Sequence, residues 1–157
     1  MHRVSASAAG RAYHASRSAR GLGRRKVCSV RAGCAGLTVL CRPEGSAGPG
    51  ELEVTAQVPP FAGAALGSFS DDDLRAFADA IGVYPLPPGA HPRLTAGSGG
   101  QETVGLAVSQ VTSRGQLAVE VHLAAVDIDQ NSPTSGAVSS AHMILLTSYQ
   151  ALHDFAA

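Results

Sequence analysis

Apolar and polar residues alternate most regularly between Thr103 and Val126. Leu117, Val119, Val121 and Leu123 interleave with Ala118, Glu120, His122 and Ala124, and Val104, Leu106 and Val108 repeat the pattern upstream. A period of two places the large residues on one face of a strand and the rest on the other. Thr112-Ser113-Arg114-Gly115 separates the two runs with polar residues and a glycine available for positive φ, so the stretch reads as a central β-hairpin. A second pair of strands is expected upstream. Leu37 to Arg42 precedes a turn-rich loop, and Glu51 to Val58 alternates until Pro59-Pro60, where proline cannot donate to the ladder. Ser70 followed by Asp73 is close to a capping box, and Leu74, Phe77, Ala78 and Ile81 form one helical stripe that Gly82 stops. The last strand is placed in Val138 to Leu146. A terminal helix follows, capped by Thr147 or Ser148, with Tyr149, Leu152, Phe155 and Ala156 on its apolar side. Small residues after Pro60, and the Pro85, Pro87, Pro88 and Pro92 segment, read as connectors. The expectation is an α+β domain with an antiparallel sheet of about five strands in the order ββαβββα and two helices on one face.

Charge divides the chain in two. Residues 1–43 carry nine Lys and Arg with no Asp or Glu, and residues 44–157 carry three Arg against twelve Asp and Glu, so +9 faces −9. Residues 1–35 lack the apolar side chains to offset the entropy of ordering, and are expected to be a disordered Arg-rich arm before a single domain at 36–157. Arginine-rich tails can neutralise phosphates, but a lone Tyr13 among these charges makes no aromatic-and-basic interleaving, so nucleic acid is not the expected partner. The Arg, Gly and Ala usage is of the kind a GC-rich, actinobacterial-type genome encodes.

Cys28, Cys34 and Cys41 are odd in number and lie outside the main body, which argues for free thiols rather than a disulfide framework. Their spacing, without a nearby histidine, is not that of a zinc site. No apolar run has the length of a membrane span. Arg24-Arg25 is not followed by an apolar region of a secretion signal, and a cytoplasmic location is expected.

Three groups carry candidate chemistry. Asp127, Asp129 and Asn131 imitate the opening of a calcium loop, but Ser132 and Val138 occupy the positions of its glycine and its bidentate glutamate. Asp71, Asp72 and Asp73 suit the first turn of a helix, where the macrodipole favours carboxylates, and form a negative patch. Glu120 and His122 share one strand face, with His142 on a possible neighbour. Such a set can do acid–base work or hold a metal, though it is commoner as plain solvated surface. No nucleophile elbow, helical zinc motif or phosphate-cradling glycine loop is present. No cofactor or metal site is therefore assigned.

The strand GELEVTAQV (Gly50–Val58), the helix SDDDLRAFADAI (Ser70–Ile81), the strand GQLAVEVHL (Gly115–Leu123) and the ending LLTSYQALHDFA (Leu145–Ala156) carry a resemblance. Their succession resembles small actinobacterial proteins similar to the WapI-type immunity proteins of polymorphic toxin systems. The resemblance implies a protein that binds and neutralises a cognate toxin without chemistry. Joined to the acidic balance, it makes the expected function a non-catalytic binding domain for a basic protein, with Asp71, Asp72, Asp73, Glu120 and His122 as partner-binding residues. The alternative is a small-molecule-binding module or enzyme on the polar sheet face around Glu120 and His122.

Overall fold

The computed structural model describes residues 26–43, 45, 48–112, 115–126 and 137–156. Strands β1 (Lys26–Ala32), β2 (Ala35–Arg42), β3 (Gly50–Val58) and β4 (Phe61–Phe69) precede helix α1 (Asp71–Ile81). Strands β5 (Arg93–Ser98), β6 (Gln101–Gln110), β7 (Gln116–Val126) and β8 (Ala137–Ser148) then lead to helix α2 (Tyr149–Ala156). All eight strands form one sheet in sequence order, each antiparallel to the next. The order is ββββαββββα, which overturns the expected five-stranded ββαβββα arrangement.

Each missed strand lacked the apolar signal for a physical reason. In β4, only Leu66 is large between the terminal phenylalanines, and it points outward, half exposed, so the inward positions are filled by Gly and Ala. Pro59-Pro60 does end β3, but as a two-residue turn into β4, with Val58 paired to Phe61. In β5, Leu94 and Ala96 do alternate into the core, but the stretch is short and sits between a proline-rich run and Gly99-Gly100. β1 lies within the segment assigned to the arm. Only Val30 of it is deeply buried, yet it pairs with β2 from Lys26↔Cys41 to Ala32↔Ala35. The remaining part of that arm, residues 1–25, lies outside the described residues.

The sheet curls, so that β1, β2 and β3 approach β8. Its inner face supplies Leu37, Val39, Leu52, Val54, Leu94, Val104, Leu106, Val108, Leu117, Val119, Val121 and Leu145 to a single core. Burying each such side chain contributes about 1.5–3 kcal/mol. Both expected helices are present. Phe77 and Ile81 of α1 and Leu152 of α2 join the same core, and the helices touch each other. Ser70 caps α1 by accepting the Asp73 N–H at 3.2 Å, as the sequence predicts, and Ser148 accepts the Ala151 N–H at 3.4 Å to start α2.

Two four-stranded halves meet where β4 and β5 pair through a single rung, Ser68↔Gly97. Backbones approach closely there, because a Cβ on Gly67 would lie 2.7 Å from the Ala96 carbonyl carbon and 2.7 Å from Thr103 Oγ1. Thr103 has no partner in β5: Ala96 faces Val104 and Gly97 faces Glu102, so Thr103 is the extra residue of a β-bulge. Its side chain turns inward, 4% exposed, and its hydroxyl donates to the Leu66 carbonyl at 2.7 Å, tying one half to the other.

Candidate functional site

The bulge that turns Thr103 inward also sets the site. By strict alternation Glu102 belongs in phase with Val104, Leu106 and Val108, which all point into the core. One extra residue reverses the phase, and Glu102 emerges on the outer face. Gly105 follows on that face, and it leaves room for the carboxylate: a Cβ there would lie 2.5 Å from Glu102 Oε1 and 3.3 Å from the Cβ of His122. The carboxylate therefore reaches across the strand towards β7.

Register brings the other members alongside. His122 faces Gly105 on one side and His142 on the other, and Glu120 faces Ala107 and Ile144. Arg93 is opposite Ala107. Arg93 Nη2 donates to both Glu102 oxygens at 2.9 Å. Glu102 Oε1 also lies 3.3 Å from His122 Nδ1, and Glu120 Oε2 is 3.7 Å from His142 Nε2, longer than a hydrogen bond. Arg93, Glu102, Gly105, Leu106, Ala107, Glu120, His122 and His142 line an open depression of about 430 Å³. Partly exposed ion pairs contribute only about 0–1 kcal/mol each, so stability does not account for this concentration of charge.

Of the residues expected to bind a partner, the structure brings Glu120 and His122 together and adds His142 directly opposite His122. Asp71, Asp72 and Asp73 do not line the depression. Asp73 accepts from the Ser70 hydroxyl at 2.6 Å and Asp72 accepts from Arg75 at 3.2 Å, local contacts of the first turn of α1. The imitation calcium loop at Asp127, Asp129 and Asn131 lies outside the described residues. Arg93 and Glu102 were missed by sequence reasoning. The available signal was Glu102 itself, a charge in phase with a row of core residues, which calls for a bulge or a buried partner.

The cysteines are free, with Cys41 buried, Cys28 half-buried and Cys34 exposed. Burial pushes the Cys41 thiol up to about 11, with nearby Cys28 adding to the effect and Lys26 opposing it. Burial likewise raises Cys28, against the opposing charge of Lys26. Both therefore stay protonated near neutral pH and are poor nucleophiles. Among the described residues, no group of three or more His, Cys, Asp or Glu is placed to hold a metal ion, and no helix is long and apolar enough to cross a membrane.

No family model, curated protein or solved structure matches this chain.

Proposed function

We propose that this protein is a non-catalytic binding module that receives a basic segment of a partner protein, in the immunity-like role that the resemblance to WapI-type proteins implies. The observation that carries the reading is the convergence of Glu102 and Glu120 in one open depression of the outer sheet face. Residues 44–157 hold three Arg against twelve Asp and Glu, so the long-range field favours a cationic partner as well. The open shape suits a docking side chain better than an enclosed small molecule, since small-molecule sites bury most of their ligand. Ile144 and Leu146, about half exposed on the outward side of β8, provide apolar area beside the charges. The free cysteines accord with a cytoplasmic setting.

The test is affinity capture from the source cells with wild type and a Glu102→Gln/Glu120→Gln variant, repeated at low and high salt. A basic protein held by wild type, released by salt and lost from the variant supports the reading. A partner that ignores both substitutions overturns it. A second reading, a small-molecule site or enzyme on the same face, is favoured by the Glu102–His122 contact of 3.3 Å, because a carboxylate-oriented imidazole is a general-base arrangement. Substrate turnover lost in His122→Ala, with no protein captured, selects that alternative.

A further inference from the structure

We propose that His122 and His142 form a two-imidazole site for a borderline divalent transition-metal ion, binding Cu(II) most tightly. The two residues are direct register partners on β7 and β8, and both side chains line the outer depression. Residues opposite one another on antiparallel strands have Cβ atoms about 4.5–5.5 Å apart. An ion bound about 2.0–2.1 Å from each ring nitrogen spans that separation.

The surroundings of the rings are what metal-binding histidines have. Such histidines direct their second nitrogen at a carboxylate or carbonyl, which fixes the tautomer and raises the basicity of the ligating nitrogen. Glu102 Oε1 lies 3.3 Å from His122 Nδ1. Ionised carboxylates only accept, so neutral His122 donates from Nδ1 and keeps a bare lone pair at Nε2. Glu120 stands at the other ring nitrogen of His142, 3.7 Å from Nε2, close enough to lend negative charge though not to hydrogen-bond, so His142 ligates through Nδ1. Two carboxylates thus back two imidazoles in an open site, while Arg93 is occupied by the Glu102 oxygens.

Two protein ligands leave the ion unsaturated, in keeping with the lack of a larger ligand cluster among the described residues, and water fills the other positions. Imidazole without thiolate suits copper, nickel and zinc, and the Irving–Williams order places Cu(II) first. This site does not require a basic partner. A dication bound there opposes one, because both draw on the same carboxylates.

The probe is Cu(II) added to the full chain, followed by calorimetry and by pulsed electron paramagnetic resonance, which detects coordinated imidazole. His122→Asn, His142→Asn and the double variant are compared with wild type, so binding by the chain's other histidines cancels. Wild type should take up one more equivalent than the double variant, with a signal of two coordinated imidazoles. Each single variant should weaken that equivalent about tenfold or more, and Glu102→Gln by about 10–100-fold. Equal stoichiometry and affinity in wild type and the double variant, or an unchanged imidazole signal, overturns the proposal. Capture of a basic partner is scored separately, on wild type against Glu102→Gln/Glu120→Gln without added copper, so failure of copper uptake and failure of the binding reading are told apart.

Discussion

At Gly105 a missing methyl group decides where a carboxylate rests. An added Cβ would meet Glu102 Oε1 at 2.5 Å, so Gly105→Ala should swing the carboxylate away from His122. The ion pairs it breaks are partly exposed, so the cost in their stability should be about 1 kcal/mol or less by denaturant titration. Partner capture should nevertheless fall as far as in Glu102→Gln, and capture at the wild-type level would show that the carboxylate's position is immaterial. Cys41 offers a test by titration. Its thiol is raised from 9.0 to about 11, so in this pH window the folded state holds a proton that the unfolded chain releases. Its contribution is complete below pH 9 and is lost as pH rises towards 11, because deprotonation then favours the unfolded chain. The urea midpoint of wild type should drop over that window by more than that of Cys41→Val, and parallel curves would remove Cys41 as the cause.

Among the elements, the helices were the most legible in the sequence and the strands of small residues the least. α1 announces itself through Ser70, Asp73 and the Phe77/Ile81 stripe, and the structure buries both large residues. Phe77→Ala should destabilise by about 3–5 kcal/mol in chemical denaturation. A midpoint within error of wild type would mean that α1 does not depend on this contact. The central hairpin was legible too, since β6 and β7 alternate cleanly and pair from Val104↔Leu123 to Gln110↔Leu117. β4 was not, because hydrophobic periodicity is a signal of large side chains and its inward positions are small. Nor was the full site, because alternation alone predicts Glu102 inside and only a bulge brings it out. Glu120 and His122 were legible as sharing one face of a strand, and the sequence named His142 as a possible neighbour without showing which residue it faces. β1 shows how composition can mislead. Basic and small residues suggested an unstructured arm, yet the backbone ladder to β2 holds the strand, with Val30 buried beneath it. Deleting residues 1–35 should therefore lower the melting temperature relative to deleting residues 1–25, by several degrees for a domain of this size. Equal melting would show that β2 needs no outer neighbour.

Taken whole, the molecule is eight consecutive neighbours in one curled sheet, with charge on its outer face and one apolar core against its inner face. The ladders on either side of the β4–β5 junction are long, with nine pairs between β3 and β4 and six between β5 and β6, whereas the junction has one. Local opening follows the weakest backbone connection, since proteins fluctuate in cooperative units whose boundaries cost least to part. The protein should consequently breathe as two plates about this line. Amide hydrogens at Ser68 and Gly97 should exchange with deuterium orders of magnitude sooner than those of Val54 or Val121, and uniform protection across all four would show a single cooperative unit. The outer depression lies wholly on the β5–β8 plate, so Arg93, Glu102, Glu120, His122 and His142 stay together and recognition can persist while the junction opens.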